Sequence, residues 1–185
     1  MGDPRKQKKK YETPRFPWRQ DILDSELRLL GEYGLRNKRE LWQHRTMLSK
    51  FRSIARSLLS MSTSDRAELE SQLLGRLKSL GILPESAVLD NVLDLDMESI
   101  LERRLQTLVQ RKGLAKSMYQ SRQLITHGHI ALGDRKVSSP SFLVPSKQEG
   151  NISYAPRSLL NNPEHPIRLA IEPKAVETKE AETNE

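Results

Sequence analysis

The stretch that decides the fold is "RRLQTLVQRKGLAKSMYQSRQLITHGHI", Arg103 to Ile130. Leu105, Leu108 and Val109 continue a stripe begun by Leu101, at the three- and four-residue steps of one helix face. One helix is expected to carry this stripe from Asp96, an N-cap residue, through "MESILERRLQTLVQRK" to Gly113. Glu98 near its start and Arg111 and Lys112 near its end follow the helix dipole. The pattern then restarts. Ser117 and Gln120 have the spacing of a capping box, Leu124 and Ile125 supply an apolar face, and Gly128 closes the helix. Arg103, Arg104 and Arg111 fall off the apolar stripe. Such a pair of helices is either an ordinary solvated pair or a surface shaped for a polyanion.

Strands are expected to follow. "HIALGDRKV" alternates, with Gly133-Asp134 as a two-residue hairpin turn that places glycine first. "SFLV" and "NISY" read as two more short strands around a polar loop at Lys147 to Gly150. Helices and a few strands give an α+β fold class.

Upstream the chain reads as helical. Leu23, Leu27 and Leu30 share a helix face, ended by Gly31 and Gly34. Asn37 and Glu40 then open a long helix with the stripe Leu41, Leu48, Phe51, Ile54, Ala55 and Leu58. Arg45, Arg52 and Arg56 lie on another face, and Glu40 is the only acid between Asn37 and Ser64. Arginines without acidic neighbours favour a phosphate-facing surface over a salt-bridged one. Leu69, Leu73, Leu77 and Leu80 mark a further helix that serves packing. "ILPESAVLDNVLDLD" reads as an irregular connection. Its aspartates lack the glycine and the terminal glutamate of a calcium loop.

Charge divides the 185 residues unevenly. Residues 1–60 carry a net +8, 61–100 a net −5, 101–150 a net +6 and 151–185 a net −2, for +7 in all. Two basic blocks around an acidic one suit two anion-binding surfaces joined by a structural segment. The first twenty residues interleave Tyr11, Phe16 and Trp18 with lysines and arginines and show no periodicity. They read either as a disordered tail or as an arm that orders against RNA through phosphate contacts and base stacking. There are no cysteines, which excludes disulfides and cysteine-held metals. No apolar run reaches spanning length, and no signal or myristoylation pattern opens the chain, so a soluble intracellular protein is expected. His127 and His129 stand outside any metal-binding pattern, and Ser117 and Ser121 lack a nucleophile-elbow context.

Arg104-Leu105-Gln106, Gly113-Leu114-Ala115, Ser117, Arg122-Gln123-Leu124-Ile125, Gly128-His129-Ile130, Val137, Pro140-Ser141 and Val144 resemble the RNA-binding module named after small-subunit ribosomal protein four. "YETPRFPWRQ", "YGLRNKRELW" and "ISYAPRSLL…EHP" extend the resemblance to the archaeal branch of that ribosomal protein family. Met118 departs from the polar residue usual there, and Leu132-Gly133-Asp134 from the usual Asn-Gly turn. The zinc cluster of some bacterial members is absent. The module alone also occurs in RNA-modifying enzymes and stress-response RNA binders, which remain the alternatives.

The resemblance implies a non-enzymatic constituent of the small subunit that binds ribosomal RNA directly and helps nucleate assembly of the subunit body. Neighbouring small-subunit proteins, and messenger RNA near the entry path, are the other implied partners. The expected setting is the cytoplasmic ribosome, with no cofactor, metal, membrane or small-molecule substrate. The expected organisation is a basic extended arm (1–20), a helical domain (21–100), an α+β module (101–150), a segment returning to the helical domain (151–172) and a disordered acidic tail (173–185). The expected RNA-binding residues are Arg104, Arg111, Lys112, Lys116, Arg122, Gln123, His129, Arg135 and Lys136 in the module. Arg45, Arg52 and Arg56 on the long helix, and Lys8, Arg15, Trp18 and Arg19 in the arm, complete the set.

Overall fold

The structure is a computed structural model that describes residues 9–171, so Lys8 and the acidic tail lie outside the described residues. The chain divides into two compact units. One takes in residues up to Leu73 together with Val88–Met97, and the other Leu74–Ala87 together with residues from Glu98 onward.

The first unit is helical: α1 (Gln20–Glu32), α2 (Lys38–Leu59), the first part of α3 (Thr63–Ser79) and α4 (Leu89–Leu93). The apolar face expected for α1 packs in part: Leu23 and Leu30 are half-buried. Leu27 is 58% exposed, whereas Glu26 is buried. Trp42 Nε1 donates to the Glu26 carboxylate at 2.9 Å, and Lys38 Nζ lies 3.1 Å from its other oxygen. A carboxylate met by two donors from α2 tolerates burial that an isolated one would not. Gly31 falls inside α1, and the chain turns at Gly34, whose φ is 56°. Asn37 caps α2 as expected, its side chain accepting the Glu40 N–H at 3.1 Å. Leu41, Leu48, Phe51, Ala55 and Leu58 are buried, but Ile54 is exposed. The connection expected to be irregular holds α4, with Leu89 and Val92 fully buried. The Asn91 side chain accepts the Val88 N–H at 2.9 Å and so ties down the start of this single turn.

The second unit has the end of α3, α5 (Met97–Glu102), α6 (Leu105–Arg111), α7 (Met118–Thr126), β1 (Ile130–Leu132), β2 (Arg135–Lys136), α8 (Ser146–Glu149), β3 (Ile152–Tyr154), a 3-10 turn (Leu159–Asn161) and α9 (Pro166–Leu169). Here the single helix expected from Asp96 to Gly113 breaks. Arg104 is extended, with φ −69° and ψ 141°, and forms an isolated bridge with Leu143. Leu105 N donates to the Phe142 carbonyl at 2.8 Å, and Val144 N donates to the Arg103 carbonyl at 3.0 Å. These long-range bonds replace the helical bonds of one turn. "SFLV" therefore contributes a single bridge rather than a strand, and the polar loop after it holds α8.

The sheet is antiparallel with order β2-β1-β3. The turn between β1 and β2 has two residues, as expected. Gly133 has φ 58°, and no described residue other than glycine has positive φ, so only glycine takes the left-handed position. Ile130 pairs with Tyr154, and Leu132 with Ile152. The strand expected in "NISY" thus completes the module's sheet. Leu105, Val109, Ile125, Ile130 and Val144 are fully buried in one core with Ile152, Tyr154 and Leu160. Each such aliphatic side chain contributes about 1.5–3 kcal/mol.

Candidate nucleic-acid interface

In the second unit the candidate interface surrounds a corner between α6 and α7. Gln106 is fully buried, and its side chain donates to the Met118 carbonyl at 3.0 Å. Ser121 Oγ donates to the Gln106 carbonyl at 2.6 Å. These two bonds lock the helices together. Ser117 Oγ accepts the Gln120 N–H at 3.2 Å, and the Gln120 side chain accepts the Lys116 N–H at 2.7 Å. The amides of Lys116 and Gln120 at the start of α7 are thus used inside the protein. Lys116 itself is exposed.

The basic residues sort into two kinds. Arg104 is fully buried, so it is corrected from an RNA contact to a frame residue. The extended bridge that breaks the helix turns its side chain inward. Arg103 is also structural: it pairs with Glu149 at 2.8 Å and donates to the Val144 carbonyl at 3.2 Å. Arg111 remains half exposed while pairing with Glu102 at 2.6 Å. Lys112 is exposed and donates to the Glu149 carbonyl. Arg122 is half-buried, and Lys116, Gln123, Arg135 and Lys136 are exposed.

His129 and Lys136 meet at a cleft of about 580 Å³, together with His127 and Arg157. Gly128, with φ 76°, sits under the Lys136 stem; a Cβ there would lie 1.8 Å from Lys136 Cε. Arg157 is not among the residues that the sequence marks for the site. It stands alone in a non-periodic segment, and its only signal is its place in "ISYAPRSLL".

In the first unit, Arg45 and Arg56 are exposed on α2. Arg52 is half-buried, and its Nη2 donates to the Leu95 carbonyl at 2.6 Å, so part of its fork is tied to the fold. The three line a shallow groove of about 220 Å³. The arm expected to order only against RNA is anchored at its described start. The Tyr11 and Trp42 rings stack at 6.0 Å, and Glu12 N donates to Thr46 Oγ1 at 2.9 Å. Lys9 Nζ and the Arg39 guanidinium lie 4.8 and 5.8 Å from the Tyr11 ring centre. Trp18 is 86% exposed; Arg15 lies 5.6 Å from the Phe16 ring, and Arg19 pairs with Asp21 at 3.3 Å.

Residues 103–149 match the family model described as the S4 domain. The small ribosomal subunit protein uS4 of Metallosphaera sedula is 52% identical over 165 residues, covering 88% of this chain and 92% of that protein. The uS4 protein of Hyperthermus butylicus is 53% identical over 158 residues, covering 85% of this chain and 90% of its own. That of Ignicoccus hospitalis is 52% identical over 158 residues, covering 85% and 95%. The chain belongs to the uS4 family. Its S4 domain is closed by its own ends, because the ion pair between Arg103 and Glu149 joins the first and last matched residues. The sheet of this family member nevertheless needs β3, which begins three residues past the match, at Ile152. Among the described residues, no helix is long and apolar enough to cross a membrane.

Proposed function

We infer that this chain is a structural constituent of the small ribosomal subunit that binds ribosomal RNA directly, and that it is not an enzyme. The observation that carries the reading is the set of exposed cations (Lys116, Arg135 and Lys136) on the rigid S4 frame of a uS4 family member. The frame fixes where each charge stands, and the long side chains supply reach. A-form RNA hides its base edges in a narrow major groove, so shape, phosphates and 2′-hydroxyls are what such a surface reads. Arg forks onto phosphate oxygens, while Lys acts as a point charge. Arg45 and Arg56 on α2, and Trp18 with Arg15 in the arm, offer a second set of contacts. Binding at both sets pins RNA helices early in assembly of the subunit body. The naming of the relatives as ribosomal proteins supports a structural rather than a catalytic role. The expected setting is the cytoplasmic ribosome, among neighbouring small-subunit proteins.

Sedimentation of tagged chain from cell extract tests this. The chain should travel with small subunits after a high-salt wash and bind transcribed small-subunit RNA in preference to large-subunit RNA. Release of the chain as free protein, or equal binding to both RNAs, would overturn the reading.

A further inference from the structure

The cleft of about 580 Å³ lies beside β1, lined by the turn after α7 and by the chain that follows β3. Its volume is in the range of small-ligand sites, roughly 300–1,000 Å³, and exceeds what one phosphate contact requires. Its lining divides into flat or apolar surface and charge. The rings of His127 and His129 are nearly parallel, 16° apart in plane, with centroids at 6.4 Å. Leu159 is 74% exposed although its neighbour Leu160 is buried. The His129 ring is held in place: its Nδ1 and Ser158 Oγ are 2.8 Å apart. The His129 backbone is tied on both sides, its N–H donating to the Leu124 carbonyl at 2.9 Å and its carbonyl accepting the Ala155 N–H at 2.8 Å. Lys136, lying over Gly128, and the exposed Arg157 supply positive charge. Asp134 adds one carboxylate to the lining, an acceptor for the amino or imino group of a base.

We propose that this cleft takes a single unpaired nucleotide of RNA, its base against the imidazoles and Leu159 and its phosphates on Lys136 and Arg157. The proposal rests on the RNA-binding reading and sharpens it. A surface that only neutralised phosphates would accept any helix of the right shape. Unpaired bases, by contrast, are read by stacking on aromatic side chains, histidine among them. The fixed imidazole gives this cleft such a face, and the two cations lie where the flanking phosphates enter. The surface therefore selects a helix with one nucleotide extruded.

Two RNA hairpins with the same stem test this, one with a single bulged 2-aminopurine and one with the 2-aminopurine paired to uridine. Binding to the full chain is followed by anisotropy, and the base by its own emission. The wild-type chain should prefer the bulged hairpin by roughly 5- to 150-fold, the factor that corresponds to stacking of about 1–3 kcal/mol per base. The emission should change on binding of the bulged hairpin. His129→Ala should bring the preference close to one, His129→Phe should restore part of it, and Leu159→Ala should reduce it. Leu159 is exposed enough for its variant to fold if a His129 variant does not. Equal wild-type affinity for the two hairpins, with salt-sensitive binding of both, would overturn the nucleotide site and leave RNA binding standing. A preference unchanged in both His129→Ala and Leu159→Ala would place the base elsewhere and overturn it too. Failure of both hairpins to bind at low salt would overturn the RNA-binding reading itself.

Discussion

The long helix α2 and the unit that contains the S4 domain hold their arginines differently. In the helical unit, Arg45 and Arg56 stand exposed on one long helix, and only Arg52 among the three is tied to the fold, through the Leu95 carbonyl. In the unit that contains the S4 domain, Arg103 closes the domain on Glu149, Arg104 is fully buried, and Arg111 pairs with Glu102. Exposed cations such as Lys112, Lys116, Arg135, Lys136 and Arg157 carry its outward charge. A long helix needs nothing from its solvent-facing arginines. Around the small sheet, Arg103 and Arg104 are part of the frame. The basic character of a segment therefore does not say which cations meet RNA.

The sharpest break between frame and surface is Arg104. Arg104→Ala should lower unfolding stability by about 2–5 kcal/mol, the range for emptying a large buried site, as read by denaturant melts. A variant that melts like wild type but fails to bind RNA would make Arg104 an RNA ligand and erase the contrast. Gly128→Ala comes next. It forces a side chain into the left-handed region and against the Lys136 stem, at a cost of about 1–2 kcal/mol. RNA affinity should fall with it because Lys136 is displaced; unchanged affinity would remove Lys136 from the interface. Removing a cap has a smaller effect. Asn37→Ala and Ser117→Ala should each cost about 1 kcal/mol, the first speeding hydrogen exchange at the start of α2 and the second at the start of α7. Smallest in stability is the pair Arg45→Ala and Arg56→Ala, with changes within about 0.5 kcal/mol. Its effect should appear in RNA binding, as a salt dependence shallower by roughly 0.7–0.9 for each phosphate no longer neutralised. If that slope does not move, α2 is only a solvated face.

Local chemistry was legible in the sequence. The Asn37 and Ser117 caps and the two-residue turn at Gly133 each depend on residues three or fewer apart, and each is found where the spacing places it. What periodicity misses is long-range. The break at Arg104 is imposed by bonds to residues 140–144, which lie far along the chain from the helix they interrupt. Burial of Glu26 depends on Trp42 and Lys38, donors from another helix, and so periodicity wrongly turns Leu27 inward. The same reason hides one cation of the candidate site. Lys116, Arg135 and Lys136 sit in segments whose fold can be read locally, whereas Arg157 reaches the cleft only because β3 pairs with β1.

The central claim is that ribosomal RNA is held by the exposed cations and not by the buried ones. The direct measurement is the affinity of a small-subunit RNA fragment across a salt series, for wild type and for the triple variant Lys116→Ala, Arg135→Ala, Lys136→Ala. Melting should be unchanged, and the slope of log affinity against log salt should be shallower by roughly 2–3 units, at about 0.7–0.9 for each phosphate that a cation neutralises. An unchanged slope in a variant that is fully folded would contradict it.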